Sequence, residues 1–252
     1  MKRSILAATA AVILGFAAGS VGAKTPAIHN VVLVHGAFAD QTGWDKVAAR
    51  LRKKGFHVTE VANPLTSLAD DVAATQAALD KQDGPTVLVG HSWGGVVIGE
   101  AGADPKVKSL VYIAAFAPDK GESLGALAAN GPQTEGLKAV HPDAKGYLSI
   151  DPAAFPTVFA GDVPAAEAQD MLKHQIPINS TAFGEPAQVA AWHLKPSFYA
   201  ISANDKMISP DAEAFFAKRI GATTITLPAS HVSMVSQPDA VAALIEQAAN
   251  VK

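Results

Sequence analysis

The chain contains no cysteine, which excludes disulfides, thiol nucleophiles and cysteine metal sites. It has no long basic run, and its formal charge is −3. That balance argues against nucleic acid or an anionic membrane surface as a partner. Beyond residue 23 no apolar stretch is long enough to span a bilayer. Internal repeats and low-complexity tracts are absent as well. Stability must therefore come from a hydrophobic core, and 252 residues are enough for one α/β domain with an insertion.

What is present starts with a leader pattern. Lys2 and Arg3 precede an apolar stretch over residues 5–18, and Val21-Gly22-Ala23 supplies small residues behind it. This is the three-part layout of a secretory signal peptide. Cleavage after Ala23 removes 23 of 252 residues and leaves 229; losing Lys2 and Arg3 takes the formal charge from −3 to −5. The expectation is a signal peptide over 1–23 and a single domain over 24–252, exported to the periplasm or the medium. A disulfide-free exported chain suits a bacterial periplasm.

Apolar or alternating runs predict strands at 31–34, 57–61, 86–89, 108–114, 197–201 and 223–227. Helical patterns lie between them. One runs from Trp44 to Lys54. A second is capped by Ser67 and carries Leu68, Val72 and Leu79 as its buried stripe. The others follow Gly94, Ser209-Pro210 and Pro238. Strands alternating with helices specify a mainly parallel six-stranded sheet covered on both faces, an α/β fold. The rhythm breaks at about 119–196, a segment dense in proline with scattered large apolar residues: Phe155, Phe159, Met171, Leu172, Phe183 and Trp192. A structureless loop of that length is implausible, so a small, mainly helical cap over the carboxyl edge of the sheet is expected after the fourth strand.

The candidate chemistry centres on Gly90-His91-Ser92-Trp93-Gly94-Gly95. A strand, a sharp turn and a helix start there would push the Ser92 hydroxyl outward, with glycines where a Cβ would collide. A serine attacks at neutral pH only if a base takes its proton. Asp205 after the fifth strand and His231 after the sixth supply the carboxylate and imidazole, both at the carboxyl edge of the sheet. Asp211 is explained by its place in a helix's first turn, and Asp119 is a weaker substitute. His91, inside the turn, reads as structural. The backbone N–H groups of Trp93 and Ala37, with Phe38 as the alternative to Ala37, are candidates for an oxyanion hole. Phe38, Met207, Ile208, Val232, Met234 and Trp192 are candidates for an apolar substrate wall.

These motifs, together with His35-Gly36, Trp44, Pro210 and Met234, resemble the α/β-hydrolase superfamily. They are most similar to its branch of compact esterases and hydroxynitrile lyases. The resemblance covers nearly the whole chain after residue 23, strongly in the body and weakly in the cap. It implies a Ser-His-Asp acyl-transfer enzyme with no cofactor or metal and a small-molecule ester as its partner. The lyases of that branch carry a lysine directly after the histidine and a threonine at the position of Gly36. Val232 and Gly36 stand there, favouring ester hydrolysis over cyanohydrin cleavage. The same machinery would serve a lactone, thioester or amide; the reading from another class is a small-molecule binding protein. Oligomeric state has no signal in the sequence.

Overall fold

The computed structural model describes Met1 and residues 28–251. The leader expected over 1–23 lies, Met1 apart, outside the described residues. The first half of the body runs β1 (Asn30–Val34), α1 (Asp45–Lys53), β2 (His57–Val61), α2 (Leu68–Asp80), β3 (Thr86–His91), α3 (Gly94–Ala101) and β4 (Val107–Ile113). An insertion follows: α4 (Leu124–Asn130), α5 (Glu135–Lys138), β5 (Val140–Pro142), β6 (Tyr147–Ile150), α6 (Phe155–Val158), α7 (Ala165–Lys173), β7 (Ile178–Asn179) and α8 (Ser180–Gly184). The chain then returns to the body with β8 (Ser197–Ser202), α9 (Pro210–Arg219), β9 (Thr223–Leu227), α10 (Ser233–Ser236) and α11 (Pro238–Ala248).

Six strands form one parallel sheet in the order β2-β1-β3-β4-β8-β9. The central strands β1 and β3 are buried at every residue, as continuous apolar runs covered on both faces should be. The edge strands β2 and β9, carrying His57, Glu60 and four threonines, are largely open to solvent. Charged and polar residues there discourage pairing with another chain. Helix α1 packs on α11, and α2 on α3. At the centre, Tyr112 and Tyr199 stack with ring centroids 6.1 Å apart, and the Tyr199 hydroxyl accepts from Ala115 N at 2.9 Å.

The insertion is mainly helical, as expected, and adds a small antiparallel sheet of β5, β6 and β7 that the sequence did not reveal. Strands of two to four residues are too short for a periodicity to show. One expectation needs correction. The buried face of α2 is turned from the predicted stripe: Leu68, Asp71, Thr75, Ala78 and Leu79 are inside, while Val72 is half-buried. A carboxylate is drawn into the core there, with consequences for the site.

Candidate active site

Strand β3 delivers Ser92 at φ 53°, a left-handed conformation that strains any residue with a Cβ. Three backbone bonds hold it. Ser92 N donates to Ile113 O at 3.2 Å, and Ser92 O accepts from Gly95 N at 3.0 Å and Phe116 N at 3.3 Å. Two glycines are required by close approach. A Cβ on Gly90 would lie 2.4 Å from Gly94 O, and one on Gly36 would lie 2.9 Å from Ser92 Cβ.

Asp205 follows β8 and His231 follows β9, so two neighbouring strands carry them to the same edge as Ser92. His231 Nδ1 donates to Asp205 Oδ2 at 2.6 Å, with both side chains buried. The other carboxylate oxygen accepts from Met207 N at 2.6 Å and Ile208 N at 3.0 Å. With Nδ1–H directed at the carboxylate, Nε2 keeps the lone pair that can take a proton. His91 Nε2 donates to the His231 carbonyl at 2.9 Å, and the two rings lie 4.6 Å apart. Burial holds His91 neutral, its pKa well below the ordinary imidazole value. The insertion reaches the same loop: Ser230 donates to Asp162, and the Phe159 ring stands against His231 at 5.2 Å. Among the described residues no hydrogen bond joins Ser92 Oγ to the imidazole. Such contacts are often long without substrate and tighten when it binds.

The loop after β1 is braced by His35. Its Nε2 accepts from Asn63 N at 2.9 Å, so Nδ1 carries the proton and donates to Gly36 O at 2.8 Å. Burial again lowers the imidazole pKa. Phe38 sits at φ 63°. Among the described residues the backbone N–H groups of Ala37, Phe38 and Trp93 donate to no acceptor, leaving them able to meet an oxyanion. The Trp93 indole donates to Asp71 Oδ2 at 2.7 Å, and Asp71 Oδ1 accepts from Leu65 N at 2.8 Å. Burial pushes the Asp71 carboxyl up to about 6. Sequence reasoning missed Asp71; the available signal was an acidic residue three positions after Leu68 on the helix face turned inward.

A cavity of about 210 Å³ opens over Ser92. The body contributes Ala37, Phe38, Trp93, Phe116, Met207 and Ile208, and the insertion contributes Leu124, Leu137, Val140, Leu148 and Phe183. No lining residue is ionisable. Phe38, Met207 and Ile208 thus stand where the sequence placed them. Val232, Met234 and Trp192 do not. Val232 is fully buried, and Met234 is packed beneath the β1 loop near Gly43. Trp192 is turned away, with its indole donating to Pro118 O at 2.9 Å. Of the rival carboxylates, Asp119 pairs at the surface with His193 at 3.1 Å, and Asp211 lines a separate groove between α4 and α9.

Sheet order, serine turn and buried Asp–His pair together define an α/β protein of the hydrolase type. The chain belongs to the alpha/beta hydrolase family, whose family model matches residues 31–244, and it is a hydrolase. It is similar to the probable hydrolase R7 of Phoma sp., 25% identical over 245 residues, covering 88% of this chain and 98% of that protein. A carbendazim hydrolyzing esterase of Nocardioides sp. is 35% identical over 113 residues, 39% of this chain and 46% of that protein. Among solved structures, a pyrethroid hydrolase from Sphingobium faniae JZ-2 shares the fold with a TM-score of 0.78 and 23% identity. That match covers 89% of this chain and 98% of the other.

Proposed function

We propose that the protein is an exported carboxylic-ester hydrolase for small, hydrophobic esters, working through an acyl-enzyme. Ser92 Oγ attacks the carbonyl carbon while His231 Nε2 takes its proton, and Asp205 orients the ring and stabilises the imidazolium. The carbonyl oxygen, now negative, is received by the N–H groups of Trp93 and Ala37. Collapse breaks the ester C–O bond, and His231 returns the proton to the leaving alkoxide. Water, deprotonated by the same imidazole, then releases the acid and restores Ser92. The observation that carries this reading is the 2.6 Å His231–Asp205 bond at the same sheet edge as a strained serine opening into an apolar cavity. A cavity wall without charge suits an uncharged acyl group, since a carboxylate or ammonium would be desolvated there without a partner. The relatives named for carbendazim and pyrethroid hydrolysis fit the same reading. Export rests on the leader pattern of residues 1–23.

The test is labelling with a sulfonyl fluoride, peptide mass mapping, and turnover of p-nitrophenyl esters of increasing acyl length. A single adduct on Ser92, with turnover abolished in Ser92→Ala, is expected. Intact hydrolysis in Ser92→Ala overturns the reading. An N terminus at Lys24 in protein recovered from the natural host supports export.

A further inference from the structure

Behind Asp205 lies a second carboxyl that the chemistry above does not use. Glu213, on α9, is completely buried. Its Oε2 accepts from Ser202 N at 3.0 Å. Its Oε1 is buried without a hydrogen-bond partner. The Asp205 carboxylate is its charged neighbour at the same turn, where Asp205 N donates to Ser202 O at 3.1 Å. Asp205 is itself bound to His231 and two backbone N–H groups. Two neighbouring carboxylates cannot both be ionised in a site this dry. Among the described residues no cation meets Glu213; the other titratable side chain facing it is the Tyr199 phenol, which is stacked on Tyr112 and bonded to Ala115. Asp205 holds the imidazole, so its ionised form has a purpose and four lone-pair sites in use or reach. The missing donor at Oε1 is then explained: that oxygen carries a proton and is itself the donor.

We propose that Glu213 is a neutral carboxylic acid that donates a hydrogen bond to Asp205, making it a positioning residue for the His231–Asp205 pair. The proton shares the Asp205 charge between two acceptors and fixes the carboxylate plane, and through it the imidazole. Glu213 touches no substrate. The inference rests on the Ser92–His231–Asp205 reading for its effect on turnover, but its protonation state can be read separately.

Burial and the neighbouring Asp205 charge hold the Glu213 carboxyl well above the ordinary value. The unfolded chain therefore releases this proton first as pH rises, and native stability falls relative to a variant that cannot titrate. The measurement is Tm against pH from 4 to 8 for the whole protein and Glu213→Gln, whose amide supplies one donor and one acceptor. The Gln variant should gain on the wild type progressively above about pH 4.5; parallel curves overturn the proposal. Turnover of p-nitrophenyl esters gives the second readout. Glu213→Leu, which cannot donate, should lower kcat by about tenfold to a hundredfold with KM little changed, and Glu213→Gln should restore most of it. Equal kcat in a folded Glu213→Leu overturns the positioning role. If Glu213→Leu does not fold, the pH-dependent gap with Gln still decides. Activity surviving in Ser92→Ala defeats the triad while leaving that gap unaffected, so the two failures are distinguishable.

Discussion

At the carboxyl edge of the sheet, Ser92, Asp205 and His231 are each held by backbone or side-chain hydrogen bonds. The insertion above them meets the cavity with apolar side chains from α4, α5, β5, β6 and α8. Hydrogen bonds fix direction to within narrow limits, whereas apolar contact tolerates exchange of shape at similar volume. The two regions should therefore answer substitution differently. Changes at the sheet edge should appear in kcat, and changes in the insertion should appear in KM and in the choice of acyl chain.

The largest effect is expected at Asp205. Asp205→Asn removes the acceptor that fixes the imidazole tautomer and should lower kcat by about 10⁴-fold, whereas Asp119→Asn should leave it unchanged. Steady-state kinetics of both decide the matter, and a large loss at Asp119 would move the acid to the earlier strand. Next comes the wall. The Phe183 ring packs at 5.5 Å from Trp93 and 6.4 Å from Phe38. Phe183→Ala should raise KM for short p-nitrophenyl esters by about tenfold and shift the best substrate to longer chains. A fall in kcat at constant KM would erase the distinction between the two regions.

The smallest effect concerns stability and sharpens the comparison from beneath the cavity. Because the Asp71 carboxyl is raised to about 6, the native protein keeps this proton after the unfolded chain has lost it. Its contribution to stability is full below about pH 4 and declines until about pH 6, by on the order of 2 kcal/mol. Asp71→Asn removes that slope. Thermal melts should show the wild type losing ground to the variant across this window and running parallel above it. A constant difference from pH 4 to 8 would mean that Asp71 is ionised throughout.

Much of this was legible in the chain. All six body strands read from apolar or alternating runs, and β2 and β9 coincide with the structure at both ends. Caps at Ser67 and Ser209 also hold, each accepting from the backbone three residues on, at 3.0 Å and 3.2 Å. Ser92, Asp205 and His231 stood out because each follows a strand, and strand ends share one edge in a parallel sheet. The cavity wall was harder. Leu148, Val140 and Phe116 carry no mark separating a lining residue from a packed one, since both are apolar. Val232 and Met234 were misplaced for the same reason: adjacency in sequence to His231 does not place a side chain on the same side of the loop. Asp71 and Glu213 were passed over because acidic residues in helices are usually solvated.

The bond from His91 to the His231 carbonyl joins positions 140 residues apart. One end belongs to a strand near the middle of the chain, the other to the loop after the last strand. During synthesis β3 and the serine turn leave the ribosome long before His231 does. On the proposed reading, a chain that ends before β9 lacks its imidazole and should not turn over, so activity would report that the final strand has docked. The order of assembly would then be written into the activity.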